Sequence, residues 1–208
     1  MKTDEELARG ITELGLDIPA ATRAKFNKYL ELIAKWNRVH NLTAVRDIEK
    51  MVSVHVLDSL AIVPHLKASS VIDVGSGAGL PGIPLALVWP YARVVLLDSN
   101  HKKVAFLRQA VIELGLKNAE VVSERVEAWQ APQKFDLVIS RAFSDLAEFT
   151  QLAGKLCARG GVVAAMKGVY PDEEVAQLPA SFRLERALPL KVPGLEAQRH
   201  LLMLRPAA

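Results

Sequence analysis

Residues 71–82 read Val-Ile-Asp-Val-Gly-Ser-Gly-Ala-Gly-Leu-Pro-Gly, a short apolar run followed at once by a glycine-rich segment. Such a run is typical of a buried strand, and the apolar pattern of residues 83–89 that follows is helical. The segment therefore predicts a strand, a tight turn and a helix. Glycines allow positive φ in the turn and close approach of a ligand, and the helix N-terminus offers free N–H groups.

The same alternation continues along the chain. Further strand-like runs lie at residues 94–97, 121–122, 137–139 and 161–166, and helical patterns lie between them at residues 102–114 and 146–156. Strands that alternate with helices predict a parallel sheet covered on both faces. Two final strand-like runs, at residues 184–192 and 200–205, have no helical pattern between them. We expect them to close a doubly wound, Rossmann-like α/β sheet as an antiparallel pair.

The first 66 residues have a different pattern. Between Thr22 and Asn37 one apolar face recurs at helical spacing, formed by Phe26, Tyr29, Leu30, Ile33 and Trp36. A second helix is predicted from Asp47 to Pro64. The sequence thus predicts a helical extension over residues 1–66 and a core domain over residues 67–208.

Composition restricts the class of protein. Half of the 208 residues are hydrophobic and 24% are charged, which is typical of a globular protein and excludes disorder, collagen-like repeats and coiled coil. Residues 74–92 carry no charge, but their four glycines and three prolines argue against a membrane span. The single cysteine, Cys157, excludes a disulfide framework, and the N-terminus lacks a secretory pattern. We therefore expect a cytoplasmic protein.

Charge is distributed unevenly. Residues 1–66 hold nine basic and nine acidic residues, whereas residues 67–208 hold seventeen and fourteen. A basic surface that faces a polyanion and an ordinary solvated surface are both compatible with this excess. The five histidines show no metal-ligand spacing, so we expect no metal.

Asp98 lies at the end of the second predicted strand, nineteen residues after Gly79. An acid at this offset is placed to accept the ribose hydroxyls of an adenosine cofactor. Residues 77–82 also match G-x-G-x-x-G, so a nicotinamide dinucleotide is a competitor. Asp73 inside the first strand, the closing antiparallel pair and the lack of a hydride-transfer motif favour S-adenosylmethionine instead. Asp73 would meet the cofactor's ammonium, or would only cap its own turn.

The fourth predicted strand leads into Ser140, Arg141, Ala142 and Phe143. Methyltransferases of exocyclic amino groups carry an acid or Asn, then Pro-Pro and an aromatic residue, at this place. Their absence argues against an adenine or cytosine amino group as the acceptor. Cys157 sits in a helical pattern without a preceding proline, and we interpret it as a buried apolar residue rather than a nucleophile.

Several short motifs in this order resemble the family first named glucose-inhibited division protein B, bacterial methyltransferases that act on N7 of a guanine in 16S ribosomal RNA. They are His55-Val56-Leu57-Asp58-Ser59, the glycine segment, Ser140-Arg141-Ala142-Phe143, Met166-Lys167-Gly168 and Arg199-His200-Leu201. The glycine segment is shared by many methyltransferases, whereas the other motifs are more specific. The resemblance covers nearly the whole chain and implies a Rossmann-like class I methyltransferase sheet.

The resemblance also implies site residues. Together with the glycine segment, it gives a cofactor set of Asp73, Gly75, Gly77, Gly79, Leu80, Asp98, Ser99, Val126, Glu127 and Arg141. Guanine N7 carries a free lone pair, so no catalytic base is needed. We expect Arg141 to bind guanine O6 or a phosphate, and Arg125 and Lys167 to reach the same opening as catalytic candidates.

Candidates for contact with RNA are Lys102, Lys103, Arg108, Arg199 and His200. The first three would bind phosphates or form an ordinary solvated helix face. The implied partner is 16S rRNA in the small subunit or its precursor, bound by a monomer. An NAD(P)-dependent oxidoreductase and a non-catalytic rRNA-binding or assembly factor are the alternatives.

Overall fold

Seven strands form one sheet in the computed structural model, which describes residues 2–141, 143 and 145–207. The strands are β1 Ser70–Val74, β2 Arg93–Asp98, β3 Ala119–Ser123, β4 Phe135–Ser140, β5 Cys157–Lys167, β6 Phe182–Pro189 and β7 His200–Pro206. Their spatial order is β3-β2-β1-β4-β5-β7-β6. Strands β1 to β5 are parallel, and β7 pairs antiparallel with both β5 and β6. The predicted sheet with its antiparallel closing pair is confirmed.

The helices cover both faces of this sheet. They are α1 Lys2–Glu13, α2 Ala20–His40, α3 Ile48–Met51, α4 Asp58–Leu60, α5 Gly82–Val88, α6 His101–Glu113, α7 Leu146–Ala153 and α8 Asp172–Ala176. Helices α5 and α6 agree with the predicted patterns. Helix α7 also agrees with its pattern when the 3-10 turn Gly154–Leu156 that follows it is included. The short α8 was not predicted. Cys157 begins β5 rather than ending a helix, and it is buried as expected.

The second N-terminal helix is not a continuous α-helix. It begins after Asp47, close to the predicted start, and Asp47 caps it by accepting a hydrogen bond from the backbone N–H of Glu49. Between α3 and α4, however, residues Val52–Leu57 form a π-helical segment. Such segments are rare and are frequent at functional sites.

The N-terminal helices pack directly on the sheet. The predicted apolar face of α2 is buried at Phe26, Tyr29, Leu30 and Ile33. Tyr29 also donates a hydrogen bond to the carbonyl of Ala78 in the glycine segment. One continuous hydrophobic cluster extends from α1 and α2 through α5 and α6 to the strands. The helices therefore brace the turn that follows β1, and the boundary at residue 66 stays a prediction.

The order in which the chain adds strands to the sheet reverses between β1 and β4, which are parallel. From β1 the chain builds outward to β2 and β3, and it then returns to add β4 on the other side of β1. In open α/β sheets, ligands bind beyond the carboxyl ends of the strands at such a switch point. The hydroxyl of Ser140 donates to the carbonyl of Val74 at 2.7 Å, which joins the ends of β4 and β1 there.

None of the described helices is long and apolar enough to cross a membrane.

Candidate active site

The glycine segment folds as a tight turn over the end of β1. Gly75, Gly77 and Gly79 have φ values of +69°, +60° and +86°, a region that strains other residues. A Cβ atom on Gly79 would also lie 2.4 Å from Cδ1 of Ile83. The turn is fastened to β2 because the N–H groups of Gly75 and Ser76 both donate to the carbonyl of Leu97. The backbone conformation therefore requires glycine at Gly79, and a Cβ there would also displace the side chain of Ile83.

Asp73 lies beneath this turn and is fully buried. Its Oδ2 accepts hydrogen bonds from the hydroxyl of Ser76 at 2.5 Å and from the N–H of Gly82 at 2.9 Å. Its Oδ1 is buried and has no hydrogen-bond partner among the described residues. Burial raises the pKa of Asp73 to about 6, because it disfavours the charged form. Oδ2 thus caps the turn, and a role for Oδ1 toward a cofactor ammonium stays a prediction.

The buried carboxyl of Asp73 leads to a pH-dependent prediction for the ligand-free protein. Because its pKa is raised from 3.8 to about 6, the folded protein binds this proton more tightly than the unfolded chain. The stabilising contribution is therefore complete below pH 4 and is lost as the pH rises through 6. The free energy of unfolding of the wild type, relative to Asp73→Asn, should fall by on the order of 3 kcal/mol across this window. Denaturant unfolding of both proteins at a series of pH values measures the difference.

The matched control for this prediction is Asp136→Asn, near the start of β4 and therefore at the other end of the parallel strands. Ser69 and Ser70 donate hydrogen bonds to Asp136, which lower its pKa, so its stabilising contribution is lost as the pH falls. Its difference curve should have the opposite slope. A flat curve for Asp73→Asn would contradict the raised pKa.

A cavity of about 250 Å³ opens beside the glycine turn, at the carboxyl ends of β1 and β2. We call it the acidic cavity, because its described lining residues include four carboxylates and one guanidinium. The lining residues are Val74, Gly75, Leu97, Asp98, Ser99, Glu124, Arg125, Val126, Glu127, Phe143, Glu148 and Leu152.

Half of the predicted cofactor residues line the acidic cavity: Gly75, Asp98, Ser99, Val126 and Glu127. Four others, Asp73, Gly77, Gly79 and Leu80, form or support the turn behind it. The tenth, Arg141, lines a different cavity. Sequence reasoning missed Glu124, Glu148, Phe143 and Leu152, whose approach to β2 depends on how the β3–β4 and β4–α7 connections fold back.

Asp98 connects β2 to the glycine turn. Its Oδ2 accepts the N–H of Gly77 and its Oδ1 accepts the N–H of Asn100, each at 2.8 Å. The side chain lines the acidic cavity although it is only 7% exposed. A carboxylate has about four acceptor sites, so two remain for a ligand's hydroxyl groups.

Arg125 lies at the rim of the acidic cavity. Its Nε donates to Oε1 of Glu127 at 2.9 Å, and its side chain is 74% exposed. We predicted that Arg125 and Lys167 share one opening. The structure instead brings Lys167 together with Arg141, because Arg125 follows β3 and Lys167 ends β5, on opposite sides of β1.

A second cavity, of about 380 Å³, lies at the carboxyl ends of β4 and β5. We call it the arginine cavity, because its described lining includes two arginines and one lysine against one carboxylate. The lining residues are Thr43, Val45, Val54, His55, Asp58, Arg141, Met166, Lys167, Gly168 and Arg199. Half of them belong to the N-terminal helices and the loop between these helices, so the extension forms one wall of the cavity.

Ion pairs fix the cations of the arginine cavity. Asp58 is 1% exposed at its side chain, and its two oxygens accept from Arg141 Nη1 at 3.0 Å and from Arg199 Nε at 2.9 Å. Lys167 pairs with Glu174 at 2.7 Å and donates to the carbonyl of Phe143. The role of Asp58 was missed, because its two partners are 83 and 141 residues away in sequence.

His55 lies in the wall of the arginine cavity and is 3% exposed. Burial, together with the positive charge of Arg141, lowers its pKa to about 4, so the ring is neutral at pH 7. Its Nε2 is 3.0 Å from the hydroxyl of Thr43. Asp58, three residues further along the chain, contacts the two arginines.

The remaining RNA candidates lie outside the acidic cavity. Lys102 and Arg108 are exposed on α6 and Lys103 is half-buried there. Asn100 caps this helix by accepting from the N–H groups of Lys102 and Lys103. His200 is half-buried beside the arginine cavity, with Nδ1 2.7 Å from the carbonyl of Gly168. Of the described residues, no three His, Cys, Asp or Glu side chains are grouped so that they would hold a metal ion.

Residues 22–202 match the family model described as rRNA small subunit methyltransferase G. Proteins named ribosomal RNA small subunit methyltransferase G are among the similar sequences. The protein from Nitrosospira multiformis is 58% identical, over 100% of this chain and 99% of its own length. The protein from Laribacter hongkongensis is 57% identical, over 98% of this chain and 99% of its own length.

Similar solved structures are also methyltransferases. The glycopeptide N-methyltransferase MtfA, complexed with S-adenosyl-L-homocysteine, matches with a TM-score of 0.64 and 11% identity over 74% of this chain and 87% of that chain. A SAM-dependent methyltransferase from Aquifex aeolicus matches with a TM-score of 0.57 and 20% identity over 72% of this chain and 90% of that chain. At these identities the likeness concerns the fold alone, and it confirms the predicted class I methyltransferase sheet.

Proposed function

Since the chain belongs to the rRNA small subunit methyltransferase G family, we propose that it transfers a methyl group from S-adenosylmethionine to N7 of one guanine in the 16S rRNA of the small subunit. The observation that carries this proposal is the pair of cavities on either side of the β1–β4 switch point. The charged residues that line one cavity are mainly acids, and those that line the other are mainly cations. The relatives and structures described above are methyltransferases by name, so the oxidoreductase alternative has no support from them.

The acidic cavity suits a cofactor that carries a sulfonium and an ammonium group. Its four carboxylates against one guanidinium favour a net positive ligand. Asp98 has acceptor sites left for the ribose hydroxyls. Val126 and Glu127 also line the cavity, and the family resemblance assigns them to the adenine. The orphaned Oδ1 of Asp73 offers an acceptor for the ammonium. S-Adenosylmethionine, once bound, supplies an activated methyl group on a positively charged sulfur.

The arginine cavity suits the acceptor base. Guanine presents two acceptors, N7 and O6, on its major-groove edge, and an arginine fork matches such an edge. Because N7 must remain free to attack, we assign Arg141 to O6 or to the adjacent phosphate. Lys167 holds the β4–α7 connection through the carbonyl of Phe143 and pairs with Glu174, so it shapes the cavity. Arg125, with its ion pair to Glu127, would act at the cofactor's side.

Catalysis in this arrangement needs no proton transfer by the protein. N7 has an in-plane lone pair and no hydrogen, and the neutral ring of His55 adds no charge beside it. The task of Arg141 and the surrounding wall is to hold N7 in line with the methyl group. Orientation of this kind is worth about 7–11 kcal/mol. Since the methylated guanine becomes cationic, Arg141 positions the base and does not stabilise the developing charge.

The larger substrate is proposed to be the assembled subunit or its precursor, in the cytoplasm, met by a monomer. The N-terminal helices have no net charge and the remainder has a small positive excess, which gives limited affinity for free RNA. Lys102, Lys103 and Arg108 on α6 and Arg199 and His200 beside the arginine cavity are the proposed RNA contacts. Contacts to phosphate from these residues would add affinity without sequence specificity.

Transfer of label to a single guanine is the expected result. The purified protein is incubated with radiolabelled S-adenosylmethionine and small subunits from a strain that lacks this activity. Nuclease digestion and mass spectrometry then locate the label. One N7-methylguanine in one rRNA segment supports the cofactor and the acceptor together.

Naked 16S rRNA and subunits from a methylated strain are the controls for this experiment. Cofactor binding without transfer to any of these RNAs would overturn the acceptor and favour a non-catalytic rRNA-binding protein. Stabilisation of the fold by NAD(P) and not by S-adenosylmethionine would overturn the cofactor as well.

A further inference from the structure

A carboxylate from the N-terminal helices joins two arginines that come from distant parts of the chain. Asp58 begins α4, Arg141 follows β4, and Arg199 precedes β7. Each oxygen of Asp58 accepts one hydrogen bond, from Arg141 Nη1 at 3.0 Å and from Arg199 Nε at 2.9 Å. All three residues line the arginine cavity. Without the carboxylate, two like charges would share this cavity unscreened.

The π-helical segment gives Arg141 a second fixed acceptor. In a regular α-helix, the N–H of Asp58 would bond to the carbonyl of Val54, four residues earlier. Here it donates to the carbonyls of Ser53 and His55. The Val54 carbonyl instead accepts from Arg141 Nη1 at 3.0 Å. One guanidinium nitrogen is thus held by both Val54 and Asp58, which fixes the position of the group.

Burial makes this arrangement rigid and leaves the arginines accessible. The side chain of Asp58 is 1% exposed, whereas those of Arg141 and Arg199 are 26% and 24% exposed. A guanidinium has five N–H donors, so both groups keep donors beyond those used on Asp58 and Val54. The carboxylate is therefore enclosed behind two partly exposed cations that line the cavity.

We propose that Asp58 is a positioning residue, which holds Arg141 and Arg199 as a pair for the acceptor guanine nucleotide, and that the π-helical segment Val52–Leu57 supplies the second support. This inference rests on the proposed function, since it concerns the arginine cavity as the acceptor site. In this proposal the N-terminal helices position the arginines of the acceptor site. The acidic cavity shares none of these residues among its described lining, so cofactor affinity is independent of Asp58.

The test is the variant Asp58→Asn, assayed with small subunits and labelled S-adenosylmethionine. The amide keeps the size but places an NH2 group against one guanidinium. We expect kcat to fall by about one to two orders of magnitude, because a displacement of about 1 Å can cost a hundredfold. Cofactor affinity, measured by calorimetry, should stay at the wild-type value. Asp136→Asn is the matched control, since Asp136 also accepts several hydrogen bonds but lies near the start of β4, at the other end of the parallel strands.

A double-mutant cycle separates positioning from general destabilisation. If Asp58 acts through the arginines, Asp58→Asn should lower kcat strongly in the wild type and clearly less in an Arg141→Ala background, where only its bond to Arg199 remains to be lost. Asp58→Glu, which restores the carboxylate, should recover part of the rate. Equal losses in both backgrounds, or a fully active Asp58→Asn, would overturn the inference.

Arg199→Gln carries the test if Asp58→Asn does not fold. This variant keeps the hydrogen bond between Asp58 and Arg141 but removes the guanidinium of Arg199. We expect a lower rate of methyl transfer with unchanged cofactor affinity. Full transfer would refute the pairing. The failure of the proposed function has a different signature, because the wild type itself would then transfer no methyl group to the subunit.

Discussion

Arg141→Ala is expected to lower the rate of methyl transfer by about a hundredfold or more, since loss of a group that orients a reactant has effects of this size. Arg141 follows β4 at the switch point, lines the arginine cavity and is fixed by Asp58 and Val54. Without it, the acceptor base loses the donor that we assign to O6 or phosphate. Single-turnover transfer with saturating subunits measures the effect directly.

The same variant decides which cavity Arg141 serves. The family resemblance implies a cofactor contact, whereas the side chain lines the arginine cavity and not the acidic one. We therefore expect S-adenosylmethionine affinity to change little in Arg141→Ala. Arg141→Lys, which keeps the charge but not the fork, should remain impaired. A large loss of cofactor affinity would return Arg141 to the cofactor site.

Arg205→Ala is the matched control for Arg141→Ala. Arg205 forms an ion pair with Glu185 at 2.9 Å and is 29% exposed at its side chain, close to the 26% of Arg141. It donates a hydrogen bond to the carbonyl of Gly161 in the first half of β5, away from the carboxyl ends of the strands where the cavities lie. Wild-type transfer is expected for Arg205→Ala. Wild-type transfer by Arg141→Ala as well would remove Arg141 from the site.

The strands and crossover helices could be predicted because they bury continuous apolar runs. Buried parallel strands read as hydrophobic segments, as Val94 to Leu97 does without a break and as Val71 to Val74 does apart from Asp73. The helix α8 has five residues, none of them buried, so it lacks the periodic face that reveals α2. The π-helical segment was not predictable from periodicity, because residues 51–60 are buried almost all round and show no single face.

The site was predictable where its residues lie at the ends of neighbouring strands or in positions that the family resemblance implies. Gly75 comes directly after β1, and Asp98 and Ser99 lie at the end of the adjacent strand β2. Because the two strands are parallel, these residues must lie at the same end of the sheet. The division between two cavities depends on tertiary contacts over long separations. Arg125 and Lys167 both follow strand ends, and only the strand order shows that they lie on opposite sides of β1. The Asp58 contacts depend equally on how the N-terminal helices dock on the sheet.

Asp98→Ala is expected to weaken the binding of S-adenosylmethionine by about tenfold to a hundredfold, since a hydrogen bond to a charged group contributes about 1.5–3 kcal/mol. The carboxylate would accept the ribose hydroxyls with the acceptor sites that Gly77 and Asn100 leave available. Its loss also releases the N–H of Gly77, so the turn itself should become less ordered. Calorimetric titration of the purified variant gives the dissociation constant.

Asp136→Ala controls for the general loss of stability when a carboxylate that accepts backbone hydrogen bonds is removed. Asp136 accepts hydrogen bonds from the backbone and hydroxyl of Ser69 and from the backbone of Ser70. Its removal therefore deletes a comparable number of hydrogen bonds at the other end of the parallel strands. The control should lose stability and keep cofactor affinity, whereas Asp98→Ala should lose affinity. If both variants bind the cofactor equally well, the ribose is held elsewhere. Because Asp98 links β2 to the glycine turn, weaker binding by Asp98→Ala alone would locate the adenosine in the acidic cavity, and the arginine cavity would be left for the acceptor.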